Sequence, residues 1–314
     1  MKYELSKKVK DIHLDKIATL SDLTQSLYDS GGFTAKKVGE GVQILNSMFS
    51  DSESKNFLAF PACIIATGTR GIILELVKRK MVHVIITTSG MLDHDLARIW
   101  KPYYHGDFNL DDVELHKEQI NRLGNILVPH GSYGEILENK LQEMLEKLWV
   151  QGKSRFSTRD LIWEVGEQLD DENSITYWAW KNKIPIFIPG ITDGAFGSQL
   201  WLFKQKHNEF DIDIFQDEQD LAEIVFTAER SGALIVGGGI SKHHTIWWNQ
   251  FKDGLDYAVY ITTAVEYDGS LSGARLREGI SWGKLKEEAR EVTIDGDATV
   301  LLPLMIGAVL ENLK

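Results

Sequence analysis

Short apolar runs rich in β-branched residues recur along the chain at residues 57–65, 82–88, 184–189, 210–215, 233–237 and 257–262. Each reads as a strand buried on both faces, the pattern of a parallel sheet. Between them lie stretches with helical spacing of apolar positions, at 69–80, 136–150, 157–169, 217–231 and 243–250. Repeated strand–helix units of this kind predict an α/β fold: a doubly wound, mostly parallel, Rossmann-like sheet with helices on both faces. The apolar run at 298–310 predicts a buried helix, being shorter than the roughly 20 residues that a membrane span requires.

In open α/β sheets ligands bind beyond the carboxyl ends of the strands, so the residues that follow each predicted strand are where chemistry is expected. Four such junctions are polar or glycine-rich. They are Thr87-Thr88-Ser89-Gly90, Gly190 to Gly194, Gly237-Gly238-Gly239, and Thr262-Thr263-Ala264 running on to Asp268-Gly269-Ser270. Glycine lets backbone approach a pyrophosphate closely, and small hydroxyl residues donate hydrogen bonds without filling the space. The spaced Gly-x-Gly-x-x-Gly fingerprint and the P-loop lysine are both absent, so spacing alone leaves open whether these glycines hold a dinucleotide or only turn the chain.

No linker divides the 314 residues; there are only six prolines and no low-complexity tract. One catalytic domain over residues 57–314 is expected, preceded by an N-terminal helical extension over 1–56. The net charge of −12 argues against a protein that tracks phosphates and suits a cationic substrate or a basic partner, as well as plain solubility. Cys63 is the only cysteine, which excludes an intramolecular disulfide and a cysteine-based zinc site. Residues 1–10 are charged and lack the apolar stretch of a signal peptide, so the expected location is cytoplasmic. His243 and His244 diverge on a helix and make a poor chelate, so no metal is expected. One of them as a proton-transfer group fits better.

Residues 268–284 form the most informative stretch, gathering acids, Trp282 and Lys284 in a glycine-punctuated loop. A lysine beside an aromatic surface loses hydration and becomes a better neutral nucleophile. Trp282 also offers a face to an alkylammonium group. A lysine in a loop is otherwise a solvated surface charge.

Several motifs, in one order, resemble the signature of the deoxyhypusine synthase family. They are Asn121 to Pro129, Tyr177-Trp178-Ala179, Thr192-Asp193-Gly194, Val236 to His244, Asp256 to Ile261, Asp268-Gly269-Ser270, Ser272 to Arg275 and Ser281-Trp282-Gly283-Lys284. The resemblance runs from about residue 57 to about residue 303. It implies a cytoplasmic homotetramer with active sites at subunit interfaces. Such an enzyme uses NAD to oxidise spermidine, carries the aminobutyl group as an imine on a lysine, and passes it to a lysine of the hypusine-carrying translation factor. By position, Lys284 matches the imine-forming lysine and His243 the catalytic histidine, while Trp282, Glu278 and Asp93 match substrate-pocket residues. Thr88, Ser89, Gly90, Asp193, Gly238, Thr263, Ala264, Asp297 and Ala298 match cofactor contacts. Gly237 and Asp268 join them from the same junctions, and Ser270 joins the substrate group.

Three positions at which the family pattern anchors polyamine ammonium groups with acids hold His94, Ser198 and Leu271 here, and Asp93 is a shortened acid. An ammonium buried without a partner costs several kcal/mol. Either Asp95 or Glu266 takes over the anchoring, or the donor differs from spermidine. The same residues would serve transfer to a free diamine such as putrescine, as in homospermidine synthesis. A non-catalytic NAD- or polyamine-binding paralogue would not need the nucleophile.

Overall fold

The computed structural model describes residues 7–313. Two helices open the chain, α1 (Leu20–Ser30) and α2 (Phe33–Ser50), before β1 (Ser54–Ala59), α3 (Arg70–Lys78), β2 (Val84–Ile86) and α4 (Gly90–Trp100). An excursion follows, formed by β3 (Tyr104–His105), α5 (Asp112–Lys117), β4 (Ile120–Leu123) and β5 (Ile126–Pro129). The chain continues through α6 (Gly134–Val150), β6 (Arg155–Phe156), α7 (Thr158–Glu167), α8 (Ile175–Asn182), β7 (Ile186–Phe187), α9 (Ala195–Lys206) and β8 (Asp211–Ile212). It ends with α10 (Ile214–Thr227), β9 (Arg230–Val236), α11 (Gly239–Asn249), β10 (Leu255–Thr262), β11 (Leu285–Asp295) and α12 (Ala298–Asn312).

Six of these strands form the parallel sheet, in the order β11-β10-β9-β1-β2-β7. Successive strand residues feed two cores in alternation, which is why the strands read as unbroken apolar runs. Leu58, Ile85, Leu234 and Val259 join the core under α2, α3 and α12. Phe57, Ile86, Ile235 and Tyr260 join the core under α10 and α11. The order reverses between β1 and β9. Winding proceeds from β1 to β2 and β7 on one side and from β9 to β10 and β11 on the other, which makes the β1–β9 boundary a topological switch point.

The doubly wound sheet agrees with the sequence, with local differences. The run at 57–65 leaves the sheet after Ala59, where Pro61 leads into a 3-10 turn at Ala62–Ala66. Residues 210–215 do not join the main sheet: only Asp211–Ile212 is extended, paired with β6, and Asp213 then caps α10 by accepting from the Gln216 amide. The expected strand is too short because its alternate aspartates compete for the backbone. The edge strand β11 went unpredicted; its first half is charged, and its pairing jumps from Leu285 to Arg290 against Leu255 and Tyr257. The boundary expected at residue 56 falls inside β1. Helix α2 lies across the sheet, with Leu45 and Met48 fully buried.

Candidate active site

All six main strands point the same way, so the loops after β1, β2, β7, β9, β10 and β11 share one edge. Four helices, α4, α9, α11 and α12, begin at that edge; Asp93 and Asp297 cap α9 and α12, whereas α4 and α11 have no side-chain cap, and their N–H groups favour anionic groups there. At the switch point Gly237 adopts φ +64°, a left-handed turn that a side chain resists. A Cβ on Gly237 would stand 3.2 Å from Pro61, and one on Gly238 would collide with Ser272. Thr88 accepts the Ala62 amide at 3.1 Å, tying the β1 and β2 loops together, and the Ser89 hydroxyl donates to Ile191 O at 3.0 Å. Gly90 packs on Ala62, and a Cβ on Gly194 would stand 2.8 Å from Ser89 Oγ. Asp193 and Thr263 are exposed at the rim, with Ala264 beside them, its amide bonded to Thr262 at 3.1 Å. Asp268 accepts the Ser270 amide at 2.7 Å, and Asp297 caps α12, whose first residue is Ala298, through the Thr299 amide at 2.8 Å.

A cavity of about 240 Å³ lies beside this crevice, between α11 and the segment 271–285. It gathers four of the residues predicted from sequence: His243, Glu278, Trp282 and Lys284. A 3-10 helix, Leu276–Trp282, carries Glu278 and Trp282, and Gly283 at φ +69° turns the chain so that Lys284 enters the cavity from below. Lys284 is 8% exposed although it immediately precedes a strand whose first half is charged, and its Nζ lies 5.1 Å from the Trp282 ring centroid. Trp282 itself is exposed. His243 stacks on Trp247 at 5.6 Å. Burial, with the nearby Lys284 charge second, holds its imidazole below the usual range and therefore neutral near pH 7. The Glu278 side chain makes no hydrogen bond or ion pair among the described residues.

Asp93 stands apart from this cavity. Its carboxylate is fully buried and accepts from the Ala195 and Phe196 amides and from Tyr133 Oη, at 2.9, 2.7 and 2.7 Å. Burial pushes its pKa up. Ser270 lies exposed on the loop leading to the cavity roof. Of the three non-acidic positions, Leu271 lines the cavity and the Ser198 hydroxyl donates to Gly194 O at 3.0 Å. His94 meets Tyr103 Oη at 3.0 Å, and burial takes its pKa down to about 4. Neither suggested replacement acid is free. Asp95 is wholly buried, bonded to Arg70 at 2.9 Å and to the first turn of α8, and Glu266 pairs with Arg275 at 2.7 Å.

Two features escaped sequence reasoning. One is the turn at residues 60–68, hidden because its apolar residues prolonged the β1 pattern. The other is Lys242, buried beside the cavity; its one legible signal was its position on the α11 face shared with Ile246 and Asn249, both buried.

A doubly wound parallel sheet with a glycine-lined switch point and a buried lysine cavity defines an α/β enzyme. The model of the family described as deoxyhypusine synthase matches residues 22–309. The probable deoxyhypusine synthases of Thermoplasma volcanium and Picrophilus torridus are 58% and 56% identical, covering 96% and 98% of this chain and 97% and 98% of their own. A crystal structure assigned to the same activity in Entamoeba histolytica superposes with a TM-score of 0.67 at 22% identity, over 96% of this chain and 97% of that one, which bears on the fold. The chain belongs to the deoxyhypusine synthase family and is an enzyme of the transferase class. The match begins well before residue 57, taking in most of the expected N-terminal extension. No helix among the described residues is long and apolar enough to cross a membrane.

Proposed function

We propose that the protein transfers an aminobutyl group from spermidine or a related amine, through an imine on Lys284, to a lysine of the hypusine-carrying translation factor. The observation that carries this reading is the burial of Lys284 in a small cavity that also holds Trp282, His243 and the unengaged carboxylate of Glu278.

The switch-point crevice fits NAD. A glycine turn that tolerates no side chain and the N-termini of α4 and α11, which no side chain caps, suit a pyrophosphate, with Thr88, Ser89, Gly90, Asp193, Thr263, Ala264 and Asp297 around it. Bound there, NAD would accept a hydride from the donor amine and later return one to the product imine.

Lys284 Nζ attacks the oxidised carbon of the donor. A bond from that nitrogen to carbon forms as the donor's carbon–nitrogen bond breaks, and 1,3-diaminopropane leaves with the displaced nitrogen. Neutral His243 is suited to take the proton that Lys284 gives up. Trp282 supplies an apolar wall for the methylene chain and a face for its ammonium end, and Glu278 is the one carboxylate of the cavity able to receive that end. The acceptor lysine then displaces Lys284 from the imine carbon, restoring the free amine.

Incubation with NAD and spermidine, without acceptor, is expected to release 1,3-diaminopropane. Borohydride is expected to trap an adduct on Lys284 that Lys284→Arg lacks, since arginine cannot become a neutral amine, while NAD binding is kept. A trapped adduct at wild-type level on Lys284→Arg overturns the assignment. Absence of diaminopropane with NAD bound overturns spermidine as donor, and the same trapping with other amines then identifies it.

A further inference from the structure

Lys242 is the one buried lysine near the cavity that the reaction above does not use. It is 1% exposed, yet among the described residues no carboxylate lies within ion-pair distance of its ammonium. Nζ instead donates to two backbone carbonyls, Leu271 O at 2.8 Å and Ala274 O at 2.5 Å, and sits 3.9 Å over the Tyr260 ring. The carbonyl between them is held as well: Tyr260 Oη donates to Ser272 O at 2.6 Å and Thr262 Oγ1 at 3.1 Å. Residues 271–274 are thus fixed from below by three side chains, one from α11 and two from β10. The same segment covers Gly238, where an added Cβ would meet Ser272, and it contributes Leu271 and Ala274 to the wall of the Lys284 cavity.

A desolvated ammonium without a counter-ion is costly, and its retention is explained when its donors are needed where they point. We propose that Lys242 is a positioning residue: its ammonium pins the 271–274 segment as a common roof over the glycine turn and the lysine cavity, setting the shape of the amine pocket without taking part in bond making. Its donors, unlike a hydrophobic plug, fix the direction of each carbonyl, so the roof keeps one conformation. The charges facing it are Glu278, which favours the ammonium, and Arg275 and Lys284, which oppose it; burial is the largest influence and brings its pKa down to about 8. The Nζ of Lys242 is engaged by the roof, whereas that of Lys284 lies beside Trp282 in the cavity, and this separates the two roles.

The pocket in question is the amine pocket of the proposed function, so the proposal rests in part on that reading. The test therefore has one arm independent of turnover. Lys242→Met keeps the length of the side chain and removes the donors, and Lys242→Gln keeps an N–H donor. In Lys242→Met, hydrogen exchange at the Gly273 and Ala274 amides, both bonded to Ser270 O, is expected to quicken by about tenfold or more, with β9 and β10 unchanged. In turnover, the amine KM is expected to rise by about tenfold while kcat stays within about threefold, with Lys242→Gln recovering part of the loss. Unchanged exchange in Lys242→Met refutes the roof. A collapse of kcat at unchanged KM shows that Lys242 acts in the chemistry instead and also refutes it. If Lys242→Met does not fold, Tyr260→Phe removes one roof donor with no charge buried or exposed, and must show the same exchange pattern in weaker form. A wild-type protein that turns over no amine overturns the functional reading alone, leaving the exchange result to decide the roof.

Discussion

At the scale of single residues, the site is built by what side chains exclude as much as by what they contribute. At Gly238 packing demands glycine: a methyl group there meets the backbone of Ser272. Gly238→Ala is therefore expected to push the 271–274 roof away from the glycine turn and to weaken NAD binding about tenfold or more, with the melting temperature nearly unchanged because the roof is a surface segment. Quenching of tryptophan fluorescence on titration with NAD measures the first, and calorimetry the second. An unaltered NAD affinity would mean that the dinucleotide is held elsewhere. Acids illustrate the same point. Asp95, Asp93 and Asp297 all sit at the crevice edge in sequence, and each is spent on a helix N-terminus. A carboxylate that stabilises a helix start in this way is lost to substrate binding, which leaves Glu278 as the acid of the cavity.

At the scale of elements, the two N-terminal helices belong to the core. Helix α2 buries Val42, Leu45 and Met48 against the sheet, and the absent Cβ of Gly41 lets it close on Met305 and Ile294. Burial of each such side chain contributes about 1.5–3 kcal/mol, and a domain is stable by only about 5–15 kcal/mol. A chain reduced to residues 51–314 is expected to lose cooperative unfolding and near-ultraviolet circular dichroism; a sharp thermal transition in that fragment would show α1 and α2 to be dispensable. The sequence allowed the central strands to be read because β1, β2, β9 and β10 are buried on both faces and look apolar throughout. Strand β11 was illegible for the opposite reason: it lies at the edge, and residues such as Glu287, Glu288 and Arg290 face solvent. In the cavity, Lys284, Trp282, Glu278 and His243 were legible as a motif. Lys242 was not, since its role depends on carbonyls of a segment about 30 residues away that no local pattern reveals.

At the scale of the whole molecule, acidification pulls in opposing directions, and the balance can be worked out. Lowering the pH reduces a net charge of −12 and relieves self-repulsion, which stabilises the fold. Buried carboxylates with raised pKa values, Asp93 and Asp217 among them, bind protons more readily folded than unfolded and act in the same sense. Four imidazoles oppose them, those of His83, His94, His243 and His244, all held below the usual range chiefly by burial, with His94 and His244 shifted furthest. His94 on α4 and His244 on α11 are held neutral, with pKa values brought down to about 4, chiefly by burial and secondarily by Arg98 and His243 respectively. Because each folded pKa lies below the unfolded value of 6.5, the unfolded chain binds more protons between pH 6.5 and 4. Stability therefore falls as pH drops through that window, by up to about 1.4 kcal/mol per pH unit for each histidine. Asp51, held down to about 2 by Arg230, loses its contribution only below the window and does not obscure it. Replacing His94 and His244 by glutamine is expected to flatten or invert the dependence of the melting temperature on pH between 6.5 and 4, relative to the wild type, with little change above pH 7.5. Identical slopes in the two proteins would show that His94 and His244 are protonated in the folded state, and the neutral contact between His94 and Tyr103 would then be wrong.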